Sequence, residues 1–255
     1  MFKKIKKYRF LFEELVARDF KQKYKRTVLG VIWSILYPLL NLFVMNFVFK
    51  RIFGRNTPHY TTYLFCGTLI MSFFRESTRN GMNSLMANRN IITKINIPKY
   101  MFLLSNNVSS LLNFGLTLLV FLLFCVIDGI SIRLNFVMLI YPILCLTLFN
   151  VGVGLVLSAL FVFFRDTSYI YDIFLTLLNY LSVIFYKIDI FPENIQKMFL
   201  LNPVYCYIKY FRSIVLENVI PSFEYHLLCL VYAVMMFLIG IWIYKKYNRK
   251  FLYYM

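Results

Sequence analysis

The sequence predicts an all-α polytopic membrane protein, and three observations carry that prediction. Of 255 residues, 60% are hydrophobic and only 15% charged, which is more apolar surface than a soluble domain of this length can bury. Several stretches of about 20 residues are almost free of charge, and each can cross a hydrocarbon core of roughly 30 Å as a helix. The basic residues behind the net charge of +17 sit at the ends of these apolar runs. That placement matches positive-inside topology and attraction to anionic lipid headgroups, and it does not suit a nucleic-acid surface. A membrane β-barrel does not fit either, because its strands would alternate apolar and polar over about 10 residues.

The elements follow in order. Before the first apolar run, Phe12, Leu15, Val16, Phe20 and Tyr24 recur at three- and four-residue steps, with Arg18, Lys21, Lys23, Lys25 and Arg26 mostly between them. This spacing predicts an amphipathic helix over 9–27 lying in the membrane interface. On the pattern alone, a generic basic anchor and a specific docking role remain equally open. The first apolar run begins near Val28, is too long for a signal core, and is expected to stay in the mature protein.

Six spans are predicted, at 28–49, 60–84, 101–127, 134–164, 168–186 and 224–244. The second carries Arg75, Glu76, Arg79, Asn80 and Asn83 in its C-terminal part. Such residues in a membrane helix must face protein, water or headgroups. The whole chain, 1–255, reads as one transmembrane domain: interface helix, spans one to five within 28–186, an outer segment 187–223, span six and a tail 245–255. With six spans both termini share a side. That side collects 20 of the 28 Lys and Arg residues and the other side 8, which places both termini in the cytoplasm.

The segment 187–223 has apolar stretches too short to cross, Met198 to Leu201 and Ile214 to Leu216, and Pro192, Pro203 and Pro221 interrupt any long helix. Short re-entrant or interfacial helices are expected. Non-helical backbone at membrane depth survives only when protein or a wet cavity surrounds it, so this segment is a candidate exit end of a pathway.

The chemistry of a site is sparse. Cys66, Cys125, Cys145, Cys206 and Cys229 are scattered without a paired motif, and His59 and His226 are isolated, so packing is the expected role of the cysteines and no metal site is expected. No Gly is followed by Lys, so the loop that cradles a nucleotide phosphate is missing and no cofactor is expected in this chain. No nucleophile-base set or paired carboxylates can be assembled. Arg165-Asp166 is expected to form a helix-end salt bridge, and Gly152-x-Gly154 to permit close helix packing.

The run Glu14-Leu15-Val16-Ala17-Arg18-Asp19-Phe20-Lys21-Gln22-Lys23-Tyr24-Lys25-Arg26-Thr27-Val28-Leu29-Gly30-Val31-Ile32-Trp33-Ser34-Ile35-Leu36-Tyr37-Pro38 resembles the entry into the first span of a known family: the membrane subunits of ABC exporters for polysaccharides, O-antigen and teichoic acid, in the second class of ABC export permeases. Asn88-Arg89-Asn90-Ile91-Ile92-Thr93-Lys94-Ile95-Asn96-Ile97-Pro98-Lys99 is similar to that family's coupling helix. Phe164-Arg165-Asp166, and Leu201-Asn202-Pro203 followed by Arg212, are similar to two further family patterns.

The resemblance implies six spans with re-entrant helices before the last, in a homodimer that works with two ATPase subunits. ATP and Mg would belong to those partners, and the substrate would be a lipid-linked glycan crossing the cytoplasmic (inner) membrane. It implies an ATPase-coupling role for Asn88, Asn90, Ile91, Ile92, Lys94 and Ile95. Arg18, Asp19, Lys21, Tyr24 and Arg26 would belong to the interface helix, and Asn202, Pro203 and Arg212 to a gate in the outer segment. The competing readings are an ion-coupled secondary transporter and a membrane glycosyl- or acyltransferase. The 20 Tyr and 28 Phe make aromatic stacking on sugars possible, though Phe facing lipid is the commoner use.

Overall fold

The computed structural model describes residues 8–25, 27–53, 58–95, 97–248 and 250–254, and among them every regular element is helical. The helices are α1 (Arg9–Tyr24), α2 (Trp33–Phe53), α3 (Tyr60–Ala87), α4 (Arg89–Ile92), α5 (Tyr100–Ile127), α6 (Ile140–Phe163), α7 (Thr167–Leu181), α8 (Glu193–Phe199), α9 (Pro203–Val215), α10 (Phe223–Tyr247) and α11 (Phe251–Tyr254). Short 3-10 turns at Gly30–Ile32 and Leu134–Leu139 lead into α2 and α6.

Among the described residues, four stretches are long and apolar enough to cross a bilayer: Gly30–Lys50, Tyr100–Ile127, Leu134–Phe163 and Phe223–Tyr247. The other two predicted spans differ in kind. The second is the 28-residue α3, which is interrupted by charge. The fifth is the 15-residue α7, which covers only about 22 Å at 1.5 Å per residue. It ends at Leu181, short of the expected 186, because Val183 takes a left-handed φ of 54°, which a β-branched residue adopts only under strain.

Helix α6 stands at the centre, packed between α3 and α10. Glycines set both contacts, as expected for Gly152 and Gly154. A Cβ on Gly152 would lie 2.6 Å from the carbonyl carbon of Met236 in α10, and one on Gly240 would lie 2.7 Å from the carbonyl oxygen of Gly152. On the opposite face, a Cβ on Gly81 of α3 would meet Gly154 Cα at 3.0 Å. Close backbone approach gives these helices van der Waals contact that bulkier residues would prevent.

Two apolar clusters result. The larger fills the bundle with α3, α5, α6 and α9, including Phe65, Ile70, Phe121, Leu146, Tyr207 and Phe211. The smaller sits at the end where α1 and α11 lie, and joins Leu15, Leu85, Ile92, Ile97, Phe102 and Phe251. Lys99 ties α11's approach to this end by donating from Nζ to the Asn248 carbonyl at 2.6 Å. All five cysteines are buried and free, which fits their expected packing role.

Replacing Gly152 with Ala should lower the thermal stability of the detergent-solubilised chain sharply, since α10's backbone cannot yield as a side chain can. The same change at Gly115, where a Cβ meets nothing within 4 Å, should be neutral or stabilising by up to ~1 kcal/mol. Equal melting temperatures for the two variants would show that the α6–α10 contact is looser than described.

Candidate functional site: a polar cavity and a buried arginine

A cavity of about 810 Å³ opens between α1, α2, α3 and α5. Its walls change character along the bundle axis. Towards the end holding α1 they are polar, with Lys23, Arg75, Arg79, Asn80 and Asn106. Deeper in, the aromatic and apolar side chains of Phe65, Leu69, Phe73 and Phe114 are interleaved with Thr68, Ser72 and Thr117. Trp33 and Tyr37 supply the α2 wall.

The charges that sequence reasoning found unusual in the second span are arranged around this cavity. Glu76 accepts from Lys23 Nζ of α1 at 2.8 Å through Oε1 and from Asn113 Nδ2 of α5 at 2.9 Å through Oε2. One carboxylate therefore joins three helices. Arg79 donates to Asp172 of α7 at 2.9 Å. Asp19 holds Arg18 at 2.7 Å and also accepts from Ser105 Oγ of α5 at 2.8 Å, fixing α1 along α5. Lys21 is exposed. Tyr24 ends α1, its side chain lies outside the described residues, and so does Arg26.

The expected coupling residues separate into two groups. Asn90, Lys94 and Ile95 are exposed, and Ile91 is half-buried. Ile92, named with the coupling residues, does not face outward: it is buried in the chain's own smaller cluster with Leu85 and Ile97. Asn88 also turns inward and donates from Nδ2 to the Ser84 carbonyl at 2.8 Å, closing the end of α3. A four-residue helix has too little periodicity to reveal which side faces in.

At the opposite end, Asn202 is the N-cap of α9. Its Oδ1 accepts from the backbone N–H groups of Val204 and Tyr205 at 3.0 and 3.3 Å, and Pro203 occupies the first turn, where no donor is needed. Its Nδ2 donates to Ser182 Oγ at 3.0 Å and the Leu181 carbonyl at 3.2 Å, tying α9 to the end of α7. An Asn-Pro pair before an apolar run is a signal from which this cap can be found in sequence.

Arg212 of α9 is buried and forms no ion pair among the described residues. It donates instead to backbone carbonyls: Val183 at 2.7 Å, Ile184 at 3.1 Å, and Tyr63 at 3.2 and 3.4 Å. Its guanidinium also lies 3.4 Å from the Tyr63 ring centroid, a desolvated cation–π contact. Gly67 leaves room for it, since a Cβ there would stand 3.0 Å from Nη2. Tyr60 and Tyr63 complete the set by donating to the Phe185 and Tyr186 carbonyls at 2.7 and 2.6 Å.

Two partnerships were invisible in sequence. His59 meets Asp128 at 3.1 Å, and the same carboxylate accepts from Thr62 at 2.5 Å. The expected Arg165–Asp166 salt bridge does not form. Arg165 lies over the Phe161 ring at 5.3 Å, and the turn is held by the Asp166 carbonyl accepting from Tyr169 and Ile170 N–H groups.

Among the described residues, an all-helical bundle with four long apolar stretches and a cavity of mixed polar and aromatic lining defines a polytopic membrane protein. The ABC-2 type transporter family model matches residues 11–216, and the chain belongs to that family. It is 30% identical over 247 residues to an O-antigen export system permease protein RfbA of Klebsiella pneumoniae, covering 95% of each chain. It is 27% identical to the RfbA permease of Myxococcus xanthus over 219 residues, 85% of this chain and 84% of that one. The capsule polysaccharide export inner-membrane protein CtrC of Neisseria meningitidis is 20% identical, over 92% of this chain and 90% of that one.

Replacing Arg212 with Met should cost on the order of 3 kcal/mol or more, because several buried carbonyls lose their donor at once. Arg212→Lys should recover only part of this, since an ammonium cannot serve three carbonyl groups in a plane while stacking on a ring. Thermal unfolding in detergent measures both; a Met variant as stable as the parent would remove Arg212 from the fold's support.

Proposed function

We propose that this chain is the membrane subunit of an ATP-driven exporter that moves a lipid-linked polysaccharide, of the O-antigen or capsule kind, across the cytoplasmic membrane. Two copies of the chain would work with two ATPase subunits that bind ATP and Mg. The single observation that carries this reading is its end-to-end relation to O-antigen export permeases. The polar-to-aromatic cavity supports it, because sugar hydroxyls need hydrogen-bonding partners that hydrocarbon lacks.

In this reading the whole chain is one permease domain with six spans, α3 and α7 being the second and fifth. The charges of α3 are tolerable because they face the cavity and neighbouring helices. Helices α8 and α9 form the re-entrant pair on the outer side, and Asn202, Pro203 and Arg212 fix them there. Helix α1 lies in the interface, and both termini are cytoplasmic, in line with the distribution of basic residues. The exposed apolar face of α2, with Phe43 and Phe47, suits a second copy of the chain.

The coupling surface is the exposed side of α4 and its following turn, Asn90, Lys94 and Ile95, beside the basic face of α1. Ile95→Asp should leave insertion intact and lower recovery of a tagged ATPase about tenfold, the effect of some 1.4 kcal/mol of lost docking energy. Ile92→Asp should instead reduce the yield of folded permease, because its charge would fall in the chain's own core. Unchanged complex yield and unchanged polysaccharide export with Ile95→Asp would remove this turn from the mechanism.

Topology has a separate test. A cysteine replacing Asn194 in α8 should react with an impermeant thiol reagent from outside intact cells, and one replacing Asn90 only after the membrane is opened. Native thiols should add little background, since all five are buried. Labelling in the reverse sense would invert the topology.

A further inference from the structure

Lys99 is oddly placed for the stability of its own helix. It is the N-cap of α5 and makes no cap hydrogen bond there, at a position where a short oxygen side chain is preferred and a cation opposes the helix dipole. Among the described residues no carboxylate comes within ion-pair distance of it. Burial holds its ammonium below the usual lysine range, so it is not a freely solvated surface charge.

Its partners belong to the far end of α10 and the tail beyond. Nζ donates to the carbonyl of Asn248, 149 residues further along the chain, at 2.6 Å, and stands 5.9 Å from the centroid of the Phe251 ring. Asn248 is the C-cap of α10. Carbonyls at a helix C-terminus lack intrahelical partners, and the dipole there favours a cation. The charge of Lys99 therefore suits α10 and not α5.

The tail is packed as a wedge. Phe251 is fully buried, with its ring 5.1 Å from Tyr244 of α10 and 5.9 Å from Phe163 at the end of α6. Phe163 also meets Tyr247 at 5.5 Å and Tyr254 at 5.0 Å. In the same apolar cluster as Phe251 are Ile92 and Ile97, which anchor the segment 88–99 between α3 and α5. That segment contains one short helix, α4, and is otherwise irregular. Its first end is closed by the bond from Asn88 to the Ser84 carbonyl. At its far end, among the described residues, the polar link to another element is that of Lys99. A segment free at one end bends under load, whereas one fixed at both ends passes the load on through its contacts.

We propose that the tail 248–254 is a strut for the coupling segment: through Lys99 and Phe251 it fixes the far end of 88–99 to α6 and α10, so that movement of a docked ATPase reaches those helices and is not absorbed in the turn. Lys99 is then a positioning residue. The nature of the load rests on the export reading above; the strut itself does not.

Two measurements keep strut and load apart. In the full chain in nanodiscs, amide hydrogen exchange over 93–98 should quicken about tenfold in Lys99→Met and on removal of 248–255, while the middles of α3 and α5 stay unchanged and Lys99→Arg, which keeps a donor, stays within about twofold of the parent. In the complete exporter, Lys99→Met should leave recovery of the tagged ATPase and its ATP hydrolysis within about twofold of wild type yet lower surface polysaccharide about fivefold, and Lys99→Arg should restore most of it. Unchanged exchange in both Lys99→Met and the truncated chain overturns the strut. Faster exchange with undiminished export overturns its part in coupling. Loss of melting temperature and ATPase recovery in step with export reduces Lys99 to a structural contact and overturns the positioning role. A wild-type complex that moves no polysaccharide counts against the export reading, and the exchange result then decides the strut alone.

Discussion

Between Ser182 and Tyr186 the chain is neither helix nor strand, yet it is largely buried inside a bundle of membrane helices. Backbone in that situation must find its hydrogen bonds within the protein, because the bilayer supplies none. Arg212, Tyr60 and Tyr63 supply them, reaching the carbonyls of Val183, Ile184, Phe185 and Tyr186. Much else follows from this arrangement. It fixes where α7 stops, holds α9 against the start of α3, and makes the left-handed turn at Val183 sustainable. A lysine in place of Arg212 would keep the charge but lose the fan of donors.

The two ends of the bundle handle polar groups differently. At the α9 end they are consumed: the arginine, the tyrosines and Asn202 all bond to backbone. At the α1 end they are partly left available, lining a cavity. There the ion pairs Lys23–Glu76 and Arg79–Asp172 join separate helices. These pairs are half-exposed, so their value is in positioning helices around the cavity rather than in stability.

Much of the fold was legible because membrane helices obey simple rules. Hydropathy located the long apolar spans, and the spacing Gly152-x-Gly154 announced a close crossing that the contacts of α6 with α10 and α3 realise. Pro203 was legible as an interruption of any long helix in the outer segment, and the structure makes it the first residue of α9, capped by Asn202. The end of α7 was not legible, since Leu181 to Tyr186 is as apolar as the helix before it and the stop depends on donors in α3 and α9. Nor could Ile92 be oriented from a four-residue helix. Lys23 and Glu76 lie 53 residues apart and His59 and Asp128 69 apart. Each was visible as an unusual charge or an isolated side chain, but only tertiary structure pairs them.

The glycine contacts on both sides of α6 have a mechanical consequence. Helices that touch backbone to backbone cannot slide past one another without separating, because there is no side-chain layer to repack. Helices α3, α6 and α10 therefore behave as a rigid slab. Helix α1 packs chiefly against α5, α2 lies against α3 and α5, and α7 meets α6 over a small area. Widening of the cavity between α1, α2, α3 and α5 is then expected from α1 and α2 moving against that slab, not from movement within it.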